Sequence, residues 1–148
     1  MQISAKYQAV LEIISKVFQD QYPADNILKE YLRNRKYIGS KDRKFITNTV
    51  WDIIRHRSRL EFDCGCCEPR MLLLAYLKDE DFDIIADGSE YGLKPLTKDE
   101  KDKLAHLNED VYPEYIEKEC PKWLFEKIND SLLAASLNTK APADVRAN

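Results

Sequence analysis

Three of the four cysteines fall in one short stretch, "CGCC", as Cys64, Cys66 and Cys67; the fourth is Cys120. Cys64 and Cys67 have the C-x-x-C spacing that holds zinc or cycles as a redox pair. A structural zinc site takes four Cys or His ligands. Here Cys120, His56 or His106 would have to complete it. No second C-x-x-C and no H-x-x-x-H is present, so the stretch reads as ordinary thiols at a helix junction. A Gly-rich nucleotide loop, G-x-S-x-G and H-E-x-x-H are also missing. Nothing pairs a nucleophile with a base, and no residue of this chain is assigned a catalytic role.

The second chemical constellation is basic. Residues 29 to 60 hold ten Lys/Arg against three acids, a local charge of +7. The whole chain is −3, so the remainder carries −10. A basic block within an acidic chain is an electrostatic footprint. Arg33, Arg35 and Lys36 stand on one side of a turn; Lys41, Arg43 and Lys44 stand on the other. Arg55 and Arg59 extend the second group. Such cations can track phosphates, and Tyr31, Tyr37 and Trp51 nearby could stack bases. The alternative is a solvated surface face. Asp42 is read as scaffold, favourable to a helix N-terminus and placed to pair with Arg43 or a neighbouring arginine. "ECPKWLFEKI" (119–128) carries Trp123, Leu124 and Ile128 on one helical face, read as a core anchor.

The elements that must position these groups are helical. Only four glycines are present and no strand pattern is convincing. Ser4 is expected to cap a first helix with Val10, Leu11, Ile14, Val17 and Phe18 on its buried stripe. "YPAD" separates it from a second helix carrying Ile27, Leu28, Tyr31 and Leu32. Gly39 stops that segment, and Ser40 is expected to cap a long third helix over about 41–61. On that helix Ile46, Val50, Ile53, Ile54 and Leu60 share one side; Lys41, Lys44, Asn48, Asp52, Arg55 and Arg59 share the other. Arg57 falls within the apolar wall and must snorkel or meet a carboxylate. "EPRMLLLAYLKDE" reads as a central helix, "FDIIAD" as one turn, and Thr97 with Glu100 as a capping box. Pro113 and Pro121 open further helices, the last over about 122–137. The expected fold is an all-α bundle of six to eight helices in 148 residues.

The N-terminal "MQISAKYQAVLEIISKVF" is amphipathic, without the apolar core of a secretory signal. The longest apolar run, "MLLLAYL", falls far short of the roughly 20 residues a membrane span needs. A cytoplasmic location without membrane association, and reduced thiols, are expected.

"GSKDRKFITNTVWDIIRHRSRLEF" resembles the signature of NusB-like RNA-binding domains, with Asp42-Arg43-x-Phe45 opening a long helix and "VWDIIR" near its middle. "PKWL" (121–124) followed by "AASLNTKAPADVRAN" (134–148) resembles the N-terminal portion of the Sun/Fmu family of bacterial ribosomal RNA cytosine-5 methyltransferases. The resemblance runs from about Tyr7 to Asn148, although residues 79–110 match nothing specific. The stretch between "PKWL" and "SLN" is shorter than the family's.

That resemblance implies a compact NusB-like helical RNA-binding domain over residues 1–138. Residues 139–148 would begin the linker to a catalytic domain that this chain does not contain. Ala141-Pro142 suits a segment leaving a helical domain extended. The implied activity of the longer protein is S-adenosylmethionine-dependent methylation of ribosomal RNA, small-subunit RNA in particular. "CGCC" lacks the Pro-Cys-Ser context of the family's nucleophile, so no catalytic role carries over to it. The RNA-contact residues expected are Arg33, Arg35, Lys36, Lys41, Lys44, Arg55, Arg59 and Arg146. Two other readings stay open: a stand-alone NusB-like transcription antitermination factor acting with a protein partner, and a helical module that packs on its own catalytic domain without touching RNA.

Overall fold

A computed structural model of the chain describes residues 1–20, 22–108 and 111–142. Those residues form ten helices and no strand, so the all-α expectation is borne out. They fall into two units, Met1–Glu109 and Asp110–Asn148.

In the first unit, α1 (Ile3–Gln19) packs against α2 (Ala24–Asn34), α3 (Ser40–Arg55), α5 (Pro69–Tyr76) and α6 (Phe82–Ile85). Its buried stripe is Tyr7, Val10, Ile13 and Ile14; Leu11, Val17 and Phe18 only border the core. Ser4 is not the cap. It lies inside α1, buried, and its hydroxyl accepts the backbone N–H of Leu93 at 2.9 Å. Helix α5 is central, as its apolar run predicts. Met71, Leu72, Leu73 and Leu74 are fully buried, each contributing about 1.5–3 kcal/mol of transfer free energy. Proline at its first position costs no hydrogen bond.

The long third helix expected from the sequence is two helices. Chain geometry breaks at His56 (φ −91°, ψ 7°), and α4 runs Arg57–Cys64. The break accommodates Arg57. An uninterrupted helix would set it in the apolar wall; instead its guanidinium lies 4.2 Å from the Phe18 ring centre and 2.6 Å from Glu61. Ser40 is the first helical residue of α3 rather than its cap, which is Gly39 without a side-chain bond. Helix α7 (Lys98–Ala105) opens on the expected Thr97–Glu100 capping box.

The second unit holds α8 (Glu114–Glu117), α9 (Lys122–Ile128) and α10 (Ser131–Leu137). The single helix expected over 122–137 is divided by Asn129, which adopts a left-handed conformation (φ 48°), and Asp130 then caps α10 by accepting the N–H groups of Leu132 and Leu133. Trp123 is 62% exposed, so it does not anchor a core there; among the described residues of this unit, Ile116, Cys120 and Ala134 are buried. These short helices and the break at His56 account for ten helices where six to eight were expected. Among the described residues no helix is long and apolar enough to cross a membrane.

Candidate nucleic-acid interface

The basic residues converge on the turn between α2 and α3, and Arg43 builds that turn. Its Nε donates to the Ile38 carbonyl at 2.8 Å and its Nη2 to the Arg35 carbonyl at 3.2 Å. The start of α3 is thereby tied to the turn that follows α2, where the Arg35 carbonyl also accepts the Ile38 N–H at 3.1 Å. Ile38 is buried beneath the turn, and Tyr37 is left 76% exposed above it.

Four of the expected contact residues surround this turn with their side chains in solvent. Arg33 lies in the last turn of α2, Lys36 lies in the turn, and Lys41 and Lys44 occupy the first turns of α3. None of the four side chains makes a hydrogen bond or ion pair among the described residues. Lys41, Lys44 and Asn48 are all exposed at i, i+3 and i+7, one face of α3.

The other expected residues differ. Arg35 is half-buried, with its guanidinium 3.6 Å from the Tyr31 ring centre and 3.3 Å from Glu12. Tyr31 is buried and donates to the same carboxylate, Oη to Glu12 Oε2 at 2.7 Å. Burial, then the Glu12 carboxylate, push the Tyr31 phenol well above its ordinary range. Arg55 lies 3.4 Å from Asp52, which also accepts from Tyr76 at 3.1 Å. Arg59 is half-buried on α4, beyond the His56 break and so off the continuous register of α3. Arg146 lies outside the described residues.

Asp42 is scaffold, but with a different partner from the arginine expected. It accepts from Lys6 at 2.8 Å and from the amino group of Met1 at 3.3 Å. The hydrogen bond from Lys6 holds its carboxyl below the usual range. Of the candidate stacking rings, Tyr31 is buried and Trp51 half-buried, so only Tyr37 presents an open face. A second exposed ring, Tyr91 at 74%, escapes the sequence reasoning because it lies in residues 79–110, which match nothing specific.

The cysteine stretch offers no reactive thiolate at Cys64. Burial, then Cys66 and Asp63, push its thiol up to about 12, and it donates weakly to the Met71 carbonyl at 3.7 Å. Among the described residues no group of three or more His, Cys, Asp or Glu is placed to hold a metal ion.

Comparison with protein-family models, with curated proteins and with solved structures finds no match to this chain.

Proposed function

We propose that this chain is a non-catalytic RNA-binding domain whose α2–α3 turn and α3 N-terminal face hold RNA phosphates. The observation that supports it most is the group of four solvated cations, Arg33, Lys36, Lys41 and Lys44, around a turn that Arg43 holds in shape. In this reading the domain works in the cytoplasm. It delivers structured ribosomal RNA, of the small subunit, to an S-adenosylmethionine-dependent cytosine-5 methyltransferase domain joined to its C-terminal side. The ordered motifs "DRKF", "VWDIIR", "PKWL" and "APADVRAN" support the methyltransferase part.

The test is a binding titration of the chain with a small-subunit ribosomal RNA fragment at several salt concentrations. Lys41→Glu/Lys44→Glu is expected to weaken binding and to lower the log–log salt slope by about 0.7–0.9 for each phosphate no longer neutralised. Unchanged affinity and slope would make the face ordinary surface. The methyltransferase part is tested by reading the gene beyond the Asn148 codon. A continuing frame with a Gly-rich cofactor loop and a Pro-Cys-Ser motif supports it; an immediate stop codon removes it and leaves the antitermination reading.

One observation favours the reading in which the domain packs on a protein. In the second unit Trp123, Leu132 and Leu137 are 62%, 85% and 58% exposed. Apolar side chains gathered on two short helices suit a protein surface better than an anionic polymer.

A further inference from the structure

Beside the basic turn, the first unit carries a groove of about 1250 Å³. Small-molecule pockets run to about 300–1000 Å³, so this one suits an extended occupant better than a single metabolite. Its floor is α1, one wall is the end of α2 with Tyr37, and the other is the loop around Tyr91. That loop is held firmly. Gly88 N–H donates to the Leu93 carbonyl at 3.1 Å, Ser89 N–H to Asp87 at 3.0 Å, and Leu93 N–H to Ser4 at 2.9 Å. A Cβ at Gly92 would stand 2.8 Å from Asp87 Oδ1 and closer still to the Ser4 and Ser89 hydroxyls, so any larger residue would have to displace the side chains that hold the loop. Tyr91 therefore projects from a fixed turn rather than a loose loop.

The charges sort by position. Inside the groove Arg35 is closed on Glu12, and Arg70 on Glu100 at 2.6 Å. Lys94 and Glu90 line it with opposite signs. The interior is thus close to neutral, with two exposed aromatic rings. The solvated cations stand outside, joined to it through the chain: Lys36 lies between the lining residues Arg35 and Tyr37. Lys41 adjoins Asp42, which the lining residue Met1 touches. A neutral aromatic groove flanked by cations complements a polymer with apolar planar groups along an anionic backbone.

We propose that this groove takes the bases of an unpaired RNA segment, stacked on Tyr37 and Tyr91, while its phosphates lie on Lys36, Lys41 and Lys44. The proposal rests on the RNA-binding reading above and adds to it the form of RNA: single-stranded where it meets the groove. Sequence-tolerant stacking on aromatic side chains is the usual mode for such segments.

The experiment compares two fluorescent RNA probes, an unstructured strand of about 12 nucleotides, within the span such platforms cover, and a duplex of the same length. Tyr37→Ala and Tyr91→Ala are each expected to weaken binding of the single strand about fivefold or more. Duplex affinity and the salt slope should not change, since stacking releases no counterion. Tyr37→Phe and Tyr91→Phe keep the ring and should bind like wild type. Both tyrosines are exposed, and circular dichroism of each variant verifies the fold. If the alanine variants bind the single strand normally while Lys41→Glu/Lys44→Glu does not, the groove proposal falls and the phosphate face stands. If the charge reversal also binds normally, both fall.

Discussion

Among the cations of the basic block, Arg43 acts on the chain itself. Two donors of one guanidinium meet two carbonyls five and eight residues back. Hydrogen bonds from a charged donor contribute about 1.5–3 kcal/mol. Arg43→Ala is therefore expected to lower unfolding free energy by about that amount, read as a lower urea midpoint. Arg43→Lys should recover little, because an ammonium cannot span both carbonyls as the planar fork does. Sequence reasoning puts this arginine in the right turn but gives it the wrong partner. Asp42 and Arg43 are adjacent, and a carboxylate beside an arginine invites pairing. The actual partner of Asp42 is Lys6, 36 residues earlier and on another helix. No local pattern carries such a contact. Arg35 is hidden likewise: its engagement with Glu12 depends on α1 and α2 lying side by side.

At the scale of elements, the apolar stripes are legible in the sequence and the interruptions are not. Ile46, Val50 and Ile53 are buried as their spacing requires. The break at His56 has neither Gly nor Pro to announce it, and it follows from where Arg57 must go. Asn129-Asp130 is a helix stop followed by a cap, two signals that a continuous helical pattern masks. A third irregularity sits between α8 and α9, where Glu119 adopts φ 53°. That region costs a residue with a Cβ about 1–2 kcal/mol, and glycine nothing. Glu119→Gly is expected to raise the stability of the second unit by up to about 1 kcal/mol, after glycine's greater freedom in the unfolded chain is offset. Hydrogen exchange at the Cys120 amide, which donates to Tyr115, measures it.

At the scale of the whole molecule, acid should act through carboxylates held low in the folded state. Burial raises the pKa of Glu100, but the hydrogen bonds from Arg70 and Thr97 outweigh it, and the net shift is downward from 4.5. Asp42 and Asp87 are also lowered from 3.8, by Lys6 and by the Ser89 amide first. A depressed folded value means stabilisation present above the unfolded value and lost as pH falls through the folded one. The melting temperature should hold above about pH 5 and decline below about pH 4. Arg70→Met removes the guanidinium from Glu100, so its deficit against wild type should shrink as pH falls, a comparison that denaturant midpoints at neutral and acid pH provide. Two of the contacts behind this behaviour, Arg70–Glu100 and Lys6–Asp42, span 30 and 36 residues, which is why the sequence does not show them. The bond between Ser4 and Leu93 reaches further still, 89 residues apart. It also sets an order of events on the ribosome. Helix α1 is made before the partners that cover it, which are α2, α3, α5, α6 and the turn at residue 93. At about 5–20 residues per second, the chain from Ser4 to Leu93 takes roughly 5–20 s to make, and part of that apolar stripe stays open until its end. The cover over α1 is complete only once the turn at residue 93 has arrived, and until then a ribosome-associated chaperone has something to hold.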